Sequence, residues 1–392
     1  MNFAKLRSFM DEMTESRTPG CAITVYSGNE KVFEYAAGVS SLETGEKLRG
    51  DEFFNIYSCS KIMTVTTALT LLERGIFLLS DPLYDFIPEY RTMKVRQPDG
   101  SLTDATRPIT IGDLFSMTAG LNYDINSPSI RRAREIDPKM PTGFVARAIA
   151  GEPLSFEPGK KWQYSLCHDV LAGLVSIVTG KPFREYVREV VLEPLGMTET
   201  FYHATPETLA RTAEQYRFVA NGQGIDADLV ELQRGGHATE GKFLNVGKNI
   251  VNYVLGDEYD SGGAGITTTC GDYAKLIAAL ANGGLGVNGE RILSAQTVDL
   301  MKTNRLNDEQ LSSLNWKQLE GYGYGLGVRT HIDRVKSGSN ALLGEFGWGG
   351  AAGATAVIDS NLKFGAFFVQ HTLNPREEWY QPRLRNVLYG CY

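Results

Sequence analysis

The chain of 392 residues is 42% hydrophobic and 22% charged, with a formal net charge of -7. These values are typical of a soluble globular protein with a real core, built as one large two-lobed fold or as two to three domains. The charges are scattered and form no basic stripe for a phosphate backbone, so we expect no nucleic-acid partner. No stretch approaches the roughly 20 apolar residues that cross a bilayer. Residues 1–17 lack the apolar region of a signal peptide, and we expect a cytoplasmic protein with no membrane partner.

The cysteines and histidines show no pattern of a metal or redox site. The cysteines are widely spaced and include no C-x-x-C pair, so we expect free thiols, most of them small buried hydrophobes. The histidines include no H-E-x-x-H spacing. Neither G-x-S-x-G nor the phosphate-loop motif occurs, which argues against an α/β-hydrolase and a P-loop protein. We therefore expect no metal and no other cofactor.

The first 85 residues are predicted to form a helix, a β-hairpin and a second helix. Apolar residues recur with helical spacing within residues 1–17, and the β-rich runs Cys21–Tyr26 and Lys31–Ala36 flank a four-residue turn signal. The second helix follows Ser58, and Gly75 stands where a left-handed stop is expected. Its apolar positions recur at three- and four-residue spacing: Ile62, Val65, Leu69 and Leu72.

From about residue 86 to 260 the chain is rich in Pro- and Gly-punctuated loops and short helical patterns. The predicted helices there are Ile111–Met117, Val170–Thr179, Phe183–Leu192 and Ile250–Leu255. The elements predicted after residue 260 are the helix Asp272–Ala281, the strands Tyr324–Arg329, Ala354–Ile358 and Phe364–Val369, and the helix Pro382–Leu388. The economical architecture is an α/β lobe of residues 1–85 and 261–392, a mostly helical, loop-rich lobe of residues 86–260, and an active cleft between them.

The stretch Tyr57-Ser58-Cys59-Ser60-Lys61 places a hydroxyl and an amine on one face of the predicted helix. Lys61 lies one turn after Ser58, where its amine can take the hydroxyl proton. Ser58 at the helix N-terminus would also meet unpaired amides and the positive end of the dipole, which stabilise an oxyanion. The pattern alone is weak, because S-x-x-K is expected roughly once by chance in a chain of this length. A second copy, Ser360–Lys363, lies in a predicted hairpin turn and is expected to be structural.

A second candidate is Tyr164, in the segment Trp162-Gln163-Tyr164-Ser165-Leu166 just before a predicted helix. A tyrosine held in such a turn can present its phenol to a cleft. Beside a lysine ammonium its pKa is expected to fall, which would make it a base or a proton shuttle. The alternative for any single tyrosine is an amphipathic residue at the edge of the core.

A third candidate is the glycine-dense segment Phe346-Gly347-Trp348-Gly349-Gly350-Ala351-Ala352-Gly353, which leads into a predicted strand. Glycines this dense at a strand edge indicate that something approaches the backbone closely. A substrate carbonyl beside a backbone amide fits this pattern. The alternative is a tight turn or a bulge.

In this order the three segments resemble the serine β-lactamase and penicillin-binding-protein superfamily, most closely the branch of class C β-lactamases, D-aminopeptidases and family VIII carboxylesterases. The resemblance covers nearly the whole chain. It implies a class C β-lactamase-like α/β fold, with an antiparallel sheet flanked by helices and a mostly helical second lobe. It also implies an acyl-enzyme hydrolase in which Ser58 is the nucleophile, Lys61 and Tyr164 share the base role, and the amides of Ser58 and Ala351 form the oxyanion hole.

Two departures from the β-lactamase pattern point to an ester substrate. Leu166 stands where β-lactamases of this branch usually have an asparagine that holds the acylamino group. Trp348 stands where they usually have a lysine or histidine facing the β-lactam carboxylate. Losing a cation there removes a charge-assisted contact of about 1.5 to 3 kcal/mol, and the indole offers apolar surface instead. We therefore expect a carboxylesterase for small uncharged acyl esters, with β-lactam hydrolysis as a weak side activity.

Further residues are assigned to substrate binding or weighed against structural roles. Gly349 and Gly350 are predicted to line the substrate site together with Trp348 and Leu166. Cys59 is either a substrate contact or a packing residue behind Ser58. His371 either lines the pocket or ends its strand in solvent, and His168 either polarises Tyr164 or is a polar residue at the start of its helix.

Alternative functions stay open at this point. A β-lactamase, a D-amino-acid peptidase or a transesterase would use the same residues on another acyl group or acceptor. A catalytically silent sensor module with this fold is the alternative of a different class. An intact set of Ser58, Lys61 and Tyr164 argues against the silent module, because it has no chemical reason to keep all three. Which of Lys61 and Tyr164 is the base proper is undecided, since the two would titrate as a coupled pair.

Overall fold

A computed structural model describes residues 1–223, 240–249 and 253–392. Its α-helices are α1 (Ala4–Ser16), α2 (Ser60–Glu73), α3 (Ile111–Phe115), α4 (Pro128–Ile136), α5 (Thr142–Ile149), α6 (Cys167–Thr179), α7 (Phe183–Val187), α8 (Glu193–Leu195), α9 (Pro206–Ala210), α10 (Cys270–Ala281), α11 (Ala295–Lys302), α12 (Asp308–Ser313), α13 (Arg334–Ser337) and α14 (Glu377–Tyr389). Short 3-10 turns occur at Tyr57–Cys59, Leu83–Asp85, Pro88–Tyr90 and Lys317–Leu319.

The strands are β1 (Gly20–Ser27), β2 (Glu30–Gly38), β3 (Phe53–Asn55), β4 (Lys94–Arg96), β5 (Leu102–Asp104), β6 (Thr200–Phe201), β7 (Gln215–Ala220), β8 (Gly241–Gly247), β9 (Thr267–Thr269), β10 (Tyr322–Tyr324), β11 (Arg329–His331), β12 (Phe346–Gly347), β13 (Thr355–Asp359) and β14 (Phe364–Gln370).

Both ends of the chain build a seven-stranded antiparallel sheet in the order β10-β11-β12-β13-β14-β1-β2. Side chains of β1 alternate between the two faces of this sheet. Ile23 and Val25 join a core cluster with residues of α1 and α14, whereas Ala22 and Tyr26 join the larger core that contains α2 and α10. The sheet is therefore covered by helices on both faces, and the predicted α/β class with an antiparallel sheet is confirmed.

A small three-stranded sheet in the order β3-β9-β6 holds the segment that leads to Ser58. Asn55, the last residue of β3, pairs with Thr267 of β9. One residue further on, the Ile56 amide donates to the Ile266 carbonyl, with N and O 3.1 Å apart. The start of α2 is thus tied to the glycine-rich segment 262–265, although the two are about 200 residues apart in sequence.

Most predicted elements are confirmed, with α2 as the clearest case. Gly75 adopts φ +66° after the helix ends. The Gly75 amide donates to the Leu72 carbonyl and the Ile76 amide to the Leu71 carbonyl, the bonds of a left-handed helix stop. The predicted strands within β13 and β14 and the helix within α10 are also present.

The strand predicted over Tyr324–Arg329 is wrong. β10 ends at Tyr324 and β11 begins at Arg329, so these residues form the turn of a hairpin. Gly327 has φ +75°, and a Cβ there would lie 2.4 Å from Val65 Cγ1 of α2. The turn approaches α2 so closely that only glycine fits at position 327, a tertiary contact that the local pattern does not reveal.

Other predictions differ at their boundaries. The helix predicted from Phe183 continues through a π-helical turn at Arg188–Leu192. The final helix begins at Glu377, ahead of the predicted Pro382. Of the helix predicted over residues 250–255, the first three residues lie outside the described ones, and residues 253–255 are irregular.

The segment 86–260 contains two hairpins, β4–β5 and β7–β8, in addition to its helices. β6 of the same segment pairs with β9, which lies beyond residue 260. The division into two lobes stays a prediction. No helix in the described part of the chain is long and apolar enough to cross a membrane.

Candidate active site

Ser58 lies in the 3-10 turn Tyr57–Cys59, immediately before α2. Tyr57 has φ +43°, a conformation that costs a non-glycine residue on the order of 1–3 kcal/mol. Its side chain is only 2% exposed, and its hydroxyl donates to Gln215 Oε1 at 2.7 Å, which holds the turn in place. Cys59 is fully buried, whereas Ser58 between the two is partly exposed. The turn therefore presents the Ser58 hydroxyl to solvent.

Lys61, the second residue of α2, is fully buried, with its Nζ 3.3 Å from Ser58 Oγ. Nζ also donates to the Gly263 carbonyl at 2.8 Å. Burial lowers the pKa of Lys61 to about 8, and the nearby negative charge of Asp169 opposes the shift only in part. A sizeable fraction of Lys61 is therefore an uncharged amine, able to accept a proton, in mildly alkaline solution.

The Tyr164 hydroxyl donates to Ser58 Oγ at 2.5 Å, so the structure brings Ser58, Lys61 and Tyr164 together. Two backbone bonds fix the tyrosine segment: the Gln163 amide donates to the Met117 carbonyl and the Leu166 amide to the Asn122 carbonyl, both at 3.0 Å.

The expected fall in the pKa of Tyr164 is wrong. Burial raises its pKa, and the hydrogen bonds to Ser58 and Trp348 only partly counteract this. Desolvation disfavours the charged phenolate, and the negative charges of Glu377 and Asp169 raise the pKa further. Tyr164 is therefore a neutral phenol that can donate a proton.

Tyr123 is a site residue that the sequence analysis missed. Its ring stacks on Tyr164 with centroids 5.3 Å apart and planes at 8°, and its hydroxyl lies 3.5 Å from Lys61 Nζ. Tyr253 packs edge-on against both Tyr123 and Tyr57. Tyr123 comes from a loop with no helix or strand pattern, so no local signal distinguished it from the other tyrosines.

Asp169 is a second residue that was missed. Its buried Oδ1 accepts from the Tyr259 hydroxyl and the Ser261 hydroxyl, both at 2.7 Å, and from the Gly263 amide at 3.1 Å. A Cβ on Gly263 would lie 2.5 Å from Asp169 Oδ2, so this position requires glycine. Asp169 thus fixes the turn whose Gly263 carbonyl accepts from Lys61. Two sequence features could have indicated Asp169: it is an acidic residue in the first turn of α6, and residues 262–265 are rich in glycine.

The glycine-rich edge at Trp348–Ala351 packs against the turn that carries Ser58. A Cβ on Gly350 would lie 2.1 Å from the Ile56 carbonyl oxygen, so only glycine allows this approach. Among the hydrogen bonds of the described residues, none uses the amide of Ser58 or of Ala351 as its donor. Two donors are thus available at adjacent backbone segments, as an oxyanion hole requires.

Trp348 and Leu166 are placed differently from the expectation of open apolar surface. Each is only 3% exposed. The Trp348 indole packs on Tyr164, Trp316 and Tyr324, with centroid distances of 5.8, 5.9 and 5.1 Å. Trp348 therefore supports the ring of Tyr164, and the more exposed aromatic surface comes from Trp316.

Cys59 packs behind Ser58, and its predicted contact with substrate is contradicted by its burial. Its thiol donates to the Trp348 carbonyl, with Sγ and O 3.5 Å apart. Cys59 thereby connects the start of α2 to the glycine-rich edge. All five cysteines are buried free thiols.

No hydrogen bond or ring contact joins either candidate histidine to Tyr164. His168 is fully buried with Nε2 3.3 Å from the Phe115 carbonyl, and burial lowers its pKa to about 3. His371 is 2% exposed, so the alternative of a solvated residue is wrong. Its ring contacts Phe54, Tyr216 and the Glu214 carbonyl, and these contacts give no support to a place in the substrate pocket. Within the described residues, no group of His, Cys, Asp and Glu side chains could hold a metal ion.

Three comparisons place the chain among known proteins. The family model described as Beta-lactamase matches residues 6–388. Protein Rv1367c of Mycobacterium tuberculosis is 31% identical over 366 residues, which cover 90% of this chain and 86% of that protein. Esterase EstB of Burkholderia gladioli is 27% identical over 390 residues, covering 94% and 90%.

Solved structures agree with this fold. The structure titled EstCE1, a hydrolase with promiscuous acyltransferase activity, matches with a TM-score of 0.77 and 21% identity over 98% of each chain. At this identity, the match shows a shared fold.

Proposed function

The chain belongs to the beta-lactamase family, and on that premise we propose that it is a serine hydrolase of the carboxylesterase type, related to the family VIII esterases. Its substrates are small apolar acyl esters, and it acts through an acyl-Ser58 intermediate without a cofactor. The observation that carries the proposal is the contact of Ser58 Oγ with both Tyr164 Oη at 2.5 Å and Lys61 Nζ at 3.3 Å.

In the first half-reaction, neutral Lys61 accepts the proton of Ser58 as Oγ attacks the ester carbonyl. The pKa of about 8 makes Lys61 the better base of the pair, because Tyr164 holds its proton. The carbonyl oxygen becomes an oxyanion that the amides of Ser58 and Ala351 stabilise. The C–O bond to the alcohol then breaks, and the alcohol oxygen takes a proton from Tyr164, which recovers one from the Lys61 ammonium.

In the second half-reaction, water takes the place of the alcohol. Lys61 accepts a proton as the water attacks the acyl-Ser58 carbonyl, and the bond from Ser58 Oγ to the acyl group breaks. Ser58 recovers its proton and the carboxylic acid leaves. Asp169 and Tyr123 position Lys61 and Tyr164 in this scheme.

The ester assignment is supported by the lack of a cation at position 348, where an indole stands against Tyr164. The names of EstB and of EstCE1 agree with it. Acyl transfer to an organic alcohol is a second candidate, because Trp316 and Tyr164, with centroids 5.2 Å apart, form a partly exposed aromatic surface that could hold such an acceptor.

The test is a substrate series on the purified protein. We expect short-chain p-nitrophenyl esters to be hydrolysed much faster than a chromogenic cephalosporin, both in a Ser58-dependent manner. Added alcohols measure the transfer reaction through the ratio of new ester to free acid. A dominant cephalosporinase rate would contradict the ester assignment, and a protein without hydrolytic activity would favour the silent sensor.

A further inference from the structure

Glu377 is a carboxylate beside the site that the proposed mechanism does not use. It is the first residue of α14 and is partly exposed. Its Oε2 accepts from Gln318 Nε2 at 3.0 Å, and its Oε1 lies 3.6 Å from where a Cβ of Gly349 would stand. Within the described residues no lysine or arginine forms an ion pair with it. The neighbouring Glu378 pairs with Lys317 instead, at 3.6 Å.

The alcohol half of an ester must lie beside Tyr164, because Tyr164 protonates the departing oxygen in the proposed mechanism. The surface next to Tyr164 is aromatic, with Trp316 at a centroid distance of 5.2 Å and Trp348 at 5.8 Å. Gln318, two residues after Trp316, donates to Glu377, and Gly349, the residue after Trp348, lies near its Oε1. A carboxylate without a cationic partner among the described residues therefore lies next to the two segments that carry Trp316 and Trp348. Aromatic faces with a nearby carboxylate are the chemistry that binds alkylammonium groups.

We propose that Glu377 is a specificity-determining residue of the alcohol site, and that the protein prefers esters whose alcohol carries an ammonium group over neutral esters of the same shape. This inference rests on the proposed esterase function and adds the class of its alcohol. In its ionised form, Glu377 also disfavours substrates with a carboxylate near the scissile bond, which agrees with the proposed preference for esters over β-lactams.

A purely structural role of Glu377 can be distinguished experimentally from the proposed role in substrate specificity. Acids in the first turn of a helix stabilise it through the dipole, and Glu378 shares that turn. Desolvation of its carboxyl group by the surrounding protein, however, raises the pKa of Glu377 to about 7. The surroundings therefore disfavour the charged form of Glu377, and a bound ammonium group would stabilise it. Glu378→Gln is the matched control, since it removes a neighbouring charge from the same turn.

The experiment compares acetylcholine with 3,3-dimethylbutyl acetate, in which carbon replaces the charged nitrogen. At pH 8.5 we expect kcat/KM to be about fivefold higher for the choline ester. Glu377→Gln should remove most of this preference and leave the neutral ester within about twofold. Glu378→Gln should leave the ratio unchanged, and thermal melting of both variants checks that they fold.

The wild-type protein provides a second measurement that needs no variant. The ratio of the two kcat/KM values should rise between pH 6 and 8.5 as Glu377 ionises, because the catalytic groups affect both esters equally. Other titratable groups near Glu377 are Tyr380 of its own helix and Tyr164 and Cys59 across the strand, and burial raises the pKa of all three, so they stay protonated. The control variant Glu378→Gln measures any contribution of the Glu378–Lys317 ion pair to the ratio.

The outcomes distinguish this inference from the proposed function. Hydrolysis of the neutral ester without a preference for the choline ester, or a preference that Glu377→Gln leaves intact, overturns the role of Glu377 alone. Failure to hydrolyse either acetate ester or any p-nitrophenyl ester overturns both proposals.

Discussion

The chain contains the pattern Ser-x-x-Lys twice, and the two copies lie in very different surroundings. At Ser58 the lysine is fully buried in a helix, 3.3 Å from the serine oxygen, and the Tyr164 hydroxyl lies 2.5 Å from the same oxygen. At Ser360 the four residues form the turn between β13 and β14, and both Ser360 and Lys363 are at least partly exposed.

The contacts of the second copy stabilise the turn and connect it to its neighbours. Asp359 Oδ1 accepts from the amides of Asn361 and Leu362, and Ser360 Oγ accepts from Lys302 Nζ at 3.0 Å. Lys363 has φ +51°, and its carbonyl accepts from the Gly28 amide. In the proposed mechanism, only the first copy can activate its serine, because a helix aligns the two residues and burial lowers the pKa of the lysine.

The largest expected contrast comes from the two serines. Ser58→Ala should reduce kcat for a p-nitrophenyl ester on the order of 10⁴-fold or more, because no nucleophile remains. Ser360→Ala loses one partly exposed hydrogen bond, worth about 1 kcal/mol of stability, and should leave kcat unchanged. Equal turnover by the Ser58→Ala variant would contradict the mechanism.

The two lysines give the next contrast. Lys61→Met should reduce kcat/KM about 10³-fold, since a general base contributes in the range of about 10² to 10⁴. In the wild type the uncharged fraction of Lys61 increases as pH rises through its pKa of about 8, so kcat/KM should rise with pH and level off above that value. Lys363→Met should keep both the rate and this profile. A flat profile between pH 6 and 9 would argue against Lys61 as the base.

The smallest effect concerns the helix that aligns Ser58 and Lys61. Gly75→Ala forces a Cβ into the left-handed region, at a cost of about 1 kcal/mol in the free energy of unfolding. No atom would lie within 4 Å of the new Cβ, so the cost is conformational. Gly75→Asn should cost less, and both variants should keep wild-type kcat/KM. Denaturant unfolding measures the loss, and an unchanged midpoint for Gly75→Ala would contradict the assigned conformation.

The elements that were predicted correctly from the sequence are those that local patterns determine. The helix after Ser58, its stop at Gly75 and the hairpin of β1 and β2 follow from periodicity and turn chemistry within short windows. Tyr164 and the glycine-rich edge were found because their order along the chain resembles a known family. These predictions needed no knowledge of how distant segments pack.

The missed features depend on tertiary contacts. Tyr123 and Asp169 act through partners from distant segments, and the turn at Gly327 lies against α2. The direction of the pKa shift of Tyr164 depends on its burial, which the sequence does not give. Trp348 was predicted as a residue of the substrate site, but its packing against Tyr164 was not predicted.

Labelling with a p-nitrophenyl alkylphosphonate identifies the nucleophile directly, because the serine that attacks phosphorus keeps the phosphonyl group and releases p-nitrophenolate. We expect one equivalent of p-nitrophenolate per chain and one phosphonyl group, which tandem mass spectrometry should locate on Ser58. The Ser58→Ala variant should carry none. A phosphonyl group on Ser360 or on another residue, or an unlabelled protein that still hydrolyses esters, would contradict Ser58 as the nucleophile.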